Sequence, residues 1–327
     1  MSSLDTPADL SGIKQSKATT PEAPVGERTH RFLSVIPTWI LWVIVIIWTI
    51  PTFGLLVNSF RPAEKQIESG WWTFFAEPSQ FTLENYDTAL NNPPGGFLSF
   101  KDALLNSFAI AIPATVVPIL MAAAAAYAFA WIPFKGRNWL FVGTVGLMAV
   151  PLQMAFVPLL QLFTGGAHIT IGDTTITIFP DLDLFGKPAS VWLTHTAFGL
   201  PLAIFLLHNY IASLPPDVFE AATIDGANHF GIFWRLVLPL SKPAIAAFAI
   251  FQFLWVWNDY LVALIFLSQN QQAHPLTIQL VNLVTSKGQG TELLPAAAFI
   301  SMVVPLIIFF SLQKYFVRGL LAGSVKG

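Results

Sequence analysis

Apolar residues dominate six stretches, near 33–58, 103–130, 139–163, 189–212, 243–267 and 294–312, and polar residues return between them. Each is long enough to cross a hydrocarbon core of ~30 Å as an α-helix of about 20 residues. Across all six, Asp259 is the sole Asp, Glu, Lys or Arg. The pattern predicts an all-α polytopic membrane protein with six transmembrane helices over 33–312. The first 32 residues are polar and rich in Pro, Thr, Ser and charge, so 1–32 reads as a flexible tail. The first apolar run is too long for a signal-peptide core and reads as an uncleaved span. Within 168–180, "HITIGDTTITIFP" alternates β-branched and polar residues and predicts a small hairpin.

Composition agrees with the pattern. The 327-residue chain is 54% hydrophobic and 10% charged, where a soluble domain carries about 25% charged residues. Its net charge of -2 gives no sign of nucleic-acid binding, and the absence of cysteine excludes disulfides, thiolate metal sites and cysteine nucleophiles. Lys and Arg orient the spans. With the N-terminus in the cytoplasm, eleven of the sixteen basic residues fall inside and five outside. Both termini are then cytoplasmic, including a C-terminal tail at 313–327, and the outer loops are about 59–102, 164–188 and 268–293. Prolines 51, 113, 118, 151, 158, 201 and 305 lie in the spans, where each interior one removes a helix hydrogen bond. Ala122, Ala126 and Ala130 share a helix face that admits a close neighbour.

The segment 213–242 is too polar to span and too apolar for a solvated loop. It parses as two short helices. Pro215 and Pro216 start the first, and Asp217 complements its dipole. Val218, Phe219, Ala221, Ala222 and Ile224 recur at helical spacing, Gly226 turns the chain, and a second helix covers roughly 228–237. A membrane-surface helix would be rich in Lys and Arg. Glu220, Asp225, Asn228, His229 and one Arg235 fit a partner's groove better.

"EAATIDGANHFGIFWRLVLPL" (220–240) resembles the EAA motif of ABC importer permeases, with Glu220, Ala221, Ala222, Gly226, Leu238 and Pro239 at matching positions and Leu236 where the family has isoleucine. "FQFLWVWNDYLVALIFL" (251–267) and "QKYFVRGLLAGSVKG" (313–327) are similar to carbohydrate permeases of the maltose-transporter type. The resemblance covers roughly 33–327. It implies a type I ABC importer transmembrane domain whose cytoplasmic coupling helix, within 213–242, seats on an ATPase subunit. Spacing adds Phe230 and Phe233 as apolar anchors. The resemblance also implies that the tail, with Arg318, Gly319, Gly323 and Lys326, reaches the ATPase dimer. The implied partners are a second permease, two ATPase copies, an extracytoplasmic solute-binding protein and a sugar, in the cytoplasmic membrane of a bacterium or archaeon.

No G-x-x-x-x-G-K-[ST] phosphate loop occurs in the chain. No cofactor is expected on it, and ATP and Mg belong to the ATPase. Trp255, Trp257, Asn258, Asp259 and Tyr260 combine rings with hydrogen-bonding groups and are the candidate substrate path; His195, His208 and Gln252 are weaker candidates. "NSFRPAEKQIESGWW" (58–72) resembles permeases for α-glucosides and related oligosaccharides. Two rivals stay open: an ABC permease for a polyol or glycerol phosphate, and an ion-coupled carrier, which would carry more intramembrane acids. An intramembrane enzyme would need a catalytic or metal set that the spans lack, so no catalytic or metal residue is expected.

Overall fold

A computed structural model describes residues 37–285 and 290–324. The expected tail 1–32, Lys287 and Lys326 lie outside the described residues. The chain divides into two units, residues 1–53 and 54–327. Helix α1 spans Thr38–Ser59. Its part in the first unit exposes Trp39, Trp42, Ile46 and Trp48 around its circumference, the mark of a helix whose solvent is lipid.

In the second unit, α2 (Ala63–Glu68) and α3 (Glu84–Asn91) precede α4 (Phe100–Trp131). Ser99 caps α4 by accepting from the Asp102 amide. Next come α5 (Arg137–Gly146), α6 (Phe156–Gly165), strands β1 (Ala167–Ile171) and β2 (Thr174–Phe179), and α7 (Pro188–Ile211). The two strands pair antiparallel, as the alternation predicts. Then follow α8 (Pro216–Ile224), α9 (His229–Ile232), a π-turn at Phe233–Val237, α10 (Leu238–Leu240), α11 (Lys242–Trp257), α12 (Leu261–Leu267), α13 (Leu276–Thr285) and α14 (Leu294–Ser324).

Four helical stretches, Thr38–Ser59, Phe100–Trp131, Pro188–Ile211 and Thr291–Ser311, are each long and apolar enough to cross a membrane. Two bent pairs bring the total to as many as six. The expected third span, 139–163, is not one straight helix: its halves meet at 98°. Pro151 offers no amide and forces Val150 to φ -78, ψ 122, outside the helical region. The fifth span is interrupted at 258–260, where side chains join the backbone ladder or stand in for it. Asn258 Nδ2 donates to the Leu254 carbonyl at 2.7 Å, and Asp259 Oδ2 accepts from the Ala263 amide at 3.1 Å. Helix also continues through Ser324, so the expected tail is helical over most of its length and carries Arg318, Gly319 and Gly323 on α14. Two glycines cost such a helix about 1 kcal/mol each, which the surrounding helix formers absorb.

Two apolar clusters fill this unit. One joins the first half of α4 (Phe100–Ala114) to the end of α11, α12, α13 and Ala297 of α14. The other joins Ile119–Tyr127 of α4 to Ala203–Ile211 of α7 and to Phe219, Ile232, Val237 and Phe248.

Two interhelical hydrogen bonds share one cause. A proline in a helix leaves the carbonyl four residues earlier without its donor, and in a membrane that carbonyl must find another. Pro118 frees the Ala114 carbonyl, and Gln252 Nε2 of α11 donates to it at 3.0 Å. Pro305 frees the Ser301 carbonyl, and Trp257 Nε1 donates at 3.1 Å. The Ile211 carbonyl, at the end of α7, is a different case: it accepts from the Leu214 amide at 3.3 Å and from Trp131 Nε1 at 3.1 Å. Gly199 lets Gln252 lie against α7, since a Cβ there would sit 2.6 Å from its amide oxygen.

Candidate functional site

The segment 216–240 is held from behind and open in front. Helix α8 closes with a Schellman turn: the Ala227 amide donates to the Ala222 carbonyl and the Gly226 amide to Thr223, each at 3.0 Å. Gly226 has φ +79 with open space around it, so the backbone conformation, not crowding, requires glycine. Asn228 then caps α9, its Oδ1 accepting from the Gly231 amide at 2.8 Å. The back of the segment meets the end of α4. Phe219 stacks on Trp131 with centroids 3.9 Å apart, and Tyr127 Oη lies 3.0 Å from His229 Nδ1.

Glu220, Ala221, Gly226 and Pro239 face outward, while Ala222 and Leu238 are half-buried. Phe230 is 72% exposed, as an anchor requires. Phe233 is not free to be one: its ring packs on Tyr127 at 5.9 Å within the inner cluster. Beside Phe230 stands the exposed Trp234, one helical turn on with ring centroids 6.0 Å apart, and Ile224 at the end of α8 is 85% exposed. Sequence reasoning missed Trp234, although the i, i+4 spacing from Phe230 was its signal.

The candidate substrate path divides. Trp257 is a core residue: it is buried between Phe108 and Phe253 and bonded through Nε1 to Ser301. Trp255 points the other way and meets His195 of α7 at a right angle, centroids 5.1 Å apart. Asn258 is exposed, and Asp259 and Tyr260 are half-buried. The Asp259 carbonyl accepts from Thr277 Oγ1 at 2.7 Å, and its Oδ2 lies 3.5 Å from His195 Nε2. Trp255, His195 and Asp259 thus form one polar set at the break in span five. Among the described residues, no three His, Asp or Glu side chains converge as a metal site would need.

Arg61, which the sequence offered only as one of the outer basic residues, organises the loop after α1. It is fully buried, and every acceptor it meets is neutral. Nε donates to Gln80, Nη1 to Asn58 and the Ser69 carbonyl, and Nη2 to the Lys65 carbonyl, Ser69 and Thr73, at 2.7–3.1 Å.

Comparison with known proteins gives this geometry a context. Residues 114–321 match the family described as binding-protein-dependent transport system inner membrane component. The chain is 52% identical over 286 residues to the osmoprotective compounds uptake permease protein GgtD of a Synechocystis species, covering 86% of this chain and 89% of that protein. It is 53% identical over 251 residues to the alpha-glucoside transport system permease protein AglG of Rhizobium meliloti, covering 76% and 62%. A bacterial ABC transporter that imports the acidic polysaccharide alginate shares the fold, with TM-score 0.67, 20% identity and coverage of 91% of this chain and all of that one. The matched region takes in four of the spans and the whole of the segment that Tyr127 and Trp131 hold in place. The chain therefore belongs to the family of binding-protein-dependent transport system inner membrane components.

Proposed function

We propose that this chain is one of two permeases in an ATP-driven importer for an α-glucoside or a related di- or oligosaccharide. The relative named for alpha-glucoside transport supports the substrate class. The other relative, named for osmoprotective compounds, supports a second reading in which the solute is an osmoprotectant. Residues 216–240 seat on an ATPase subunit, which binds ATP and Mg, and a second ATPase copy serves the sister permease. A solute-binding protein docks on the outer loops. Both termini face the cytoplasm of a bacterium or archaeon, and the C-terminal residues approach the ATPase dimer. Sugar passes between the permeases beside Trp255, Asn258, Asp259 and Tyr260.

The observation that carries this reading is the exposure of Glu220, Ile224 and Phe230 on a segment locked from behind by Trp131 and Tyr127. An apolar face fixed in shape, with Arg235 as the one basic residue of 216–240, calls for a protein groove rather than a lipid surface. The test is uptake and ATPase activity in proteoliposomes holding the full complex. Glu220→Ala and Gly226→Asp should assemble, retain basal ATP hydrolysis and lose uptake. Wild-type uptake that continues without ATP would overturn the reading. Competition between maltose and an osmoprotectant for wild-type uptake separates the two solute readings.

A further inference from the structure

We infer that His195 is a positioning residue for import: it fixes the Asp259 carboxylate in the passage from behind. This rests on the reading that span five lines the passage.

The break at 258–260 places Asp259 outside the regular helix, so helical geometry alone does not aim its side chain. Three contacts do. Thr277 holds its carbonyl, the Ala263 amide holds Oδ2, and His195 Nε2 stands 3.5 Å from the same Oδ2. The other oxygen, Oδ1, takes no hydrogen bond from the described residues, and the carboxylate retains 14% exposure. One oxygen is thus committed to the protein and one left for a ligand hydroxyl.

His195 is built for that single task. It is fully buried, and neither ring nitrogen has a hydrogen-bond partner among the described residues. A buried imidazole with nothing to bind is costly. Asp259 is the polar group it faces, at a distance just outside hydrogen-bond geometry, of the kind that tightens when a site is occupied. Its place is fixed from two sides: Trp255 packs on the ring, and Gln252 Nε2 reaches the His195 carbonyl at 3.4 Å.

The experiment uses the full complex in proteoliposomes and whichever of radiolabelled maltose, sucrose or trehalose the wild type takes up. His195→Gln keeps a donor near the Nε2 position and should transport close to wild type. His195→Leu should lower uptake per assembled complex about tenfold, the factor that one charge-assisted hydrogen bond carries. Asp259→Asn should lower it similarly, and the double variant should fall no further than either single one. If His195→Leu does not assemble, His195→Asn, which draws the donor back from Asp259, should give the same loss. Wild-type uptake by His195→Leu or His195→Asn, or additive losses in the double variant, would refute the positioning role. Wild-type uptake by Asp259→Asn would instead refute the passage reading. A merely structural His195 would lower the yield of His195→Gln and His195→Leu alike and leave uptake per complex unchanged.

Discussion

Replacing Gln252 by leucine tests the link between prolines and interhelical bonds. Gln252 is fully buried, and its Nε2 gives the Ala114 carbonyl the donor that Pro118 cannot. Losing that donor leaves a buried carbonyl bare, at about 1–3 kcal/mol by the soluble-protein scale. Side-chain bonds inside membranes average about 0.6 kcal/mol and reach about 1.7, because a freed group commonly finds another partner. Ala114 is itself fully buried, out of reach of water, which favours the upper end. The Gln252 amide oxygen pulls the other way. It is buried without a partner, so leucine relieves a penalty, and the net cost of Gln252→Leu comes to about 1 kcal/mol. Pro118→Ala isolates the contribution by restoring the helical amide to Ala114. In that background Gln252→Leu should be neutral or stabilising, giving a coupling of about 1–1.5 kcal/mol. Reversible unfolding of the four proteins in detergent–SDS mixed micelles, followed by circular dichroism, measures it. An equal cost of Gln252→Leu in both backgrounds would refute the reasoning.

Trp257→Phe keeps the ring but removes the donor to Ser301, so it should cost about 1 kcal/mol of stability in the same assay and leave uptake per complex unchanged, whereas Trp255→Ala should reduce uptake. Arg61→Lys exchanges a five-donor fork for a single ammonium and should destabilise the loop after α1 by about 2–3 kcal/mol, seen as faster proteolysis within residues 62–82. Burial pushes the His274 imidazole below its usual value of 6.5, so the neutral form is the one the fold prefers. Its contribution to stability is therefore complete above pH 6.5 and lost as the pH falls below it. Thermal unfolding should show wild type losing stability over that interval more steeply than His274→Gln.

The spans were legible because a bilayer demands runs of apolar residues, and the EAA segment because its glycine, prolines and cap obey local rules. Gly226 and Asn228 do what their residue types require without help from distant parts of the chain. Local pattern stops short where a residue's place depends on a distant neighbour. Trp255 and Trp257 look alike in "LWVWNDY", yet two residues on a helix lie about 200° apart, so they face opposite ways. Periodicity could have said that much; that Trp257 would find Ser301 it could not. Phe233 has the spacing of an anchor, and nothing local reveals Tyr127 beside it. Likewise the prolines announced lost hydrogen bonds, but the donors that replace them are supplied by other spans, and Arg61 is satisfied by a loop that only folding assembles.

The timing of synthesis exposes what the Pro118 arrangement entails. Ala114 enters the membrane with its span, but its donor lies 138 residues later in the chain. At about 5–20 residues per second, the ribosome needs roughly 7–28 s to make it. During that interval the nascent second span holds an unpaired carbonyl at bilayer depth, so it is under-satisfied until the fifth span is delivered. Insertion of the early helices is then completed by a late one, and a ribosome stalled between them would leave an intermediate that water, the insertion machinery or a chaperone must shelter.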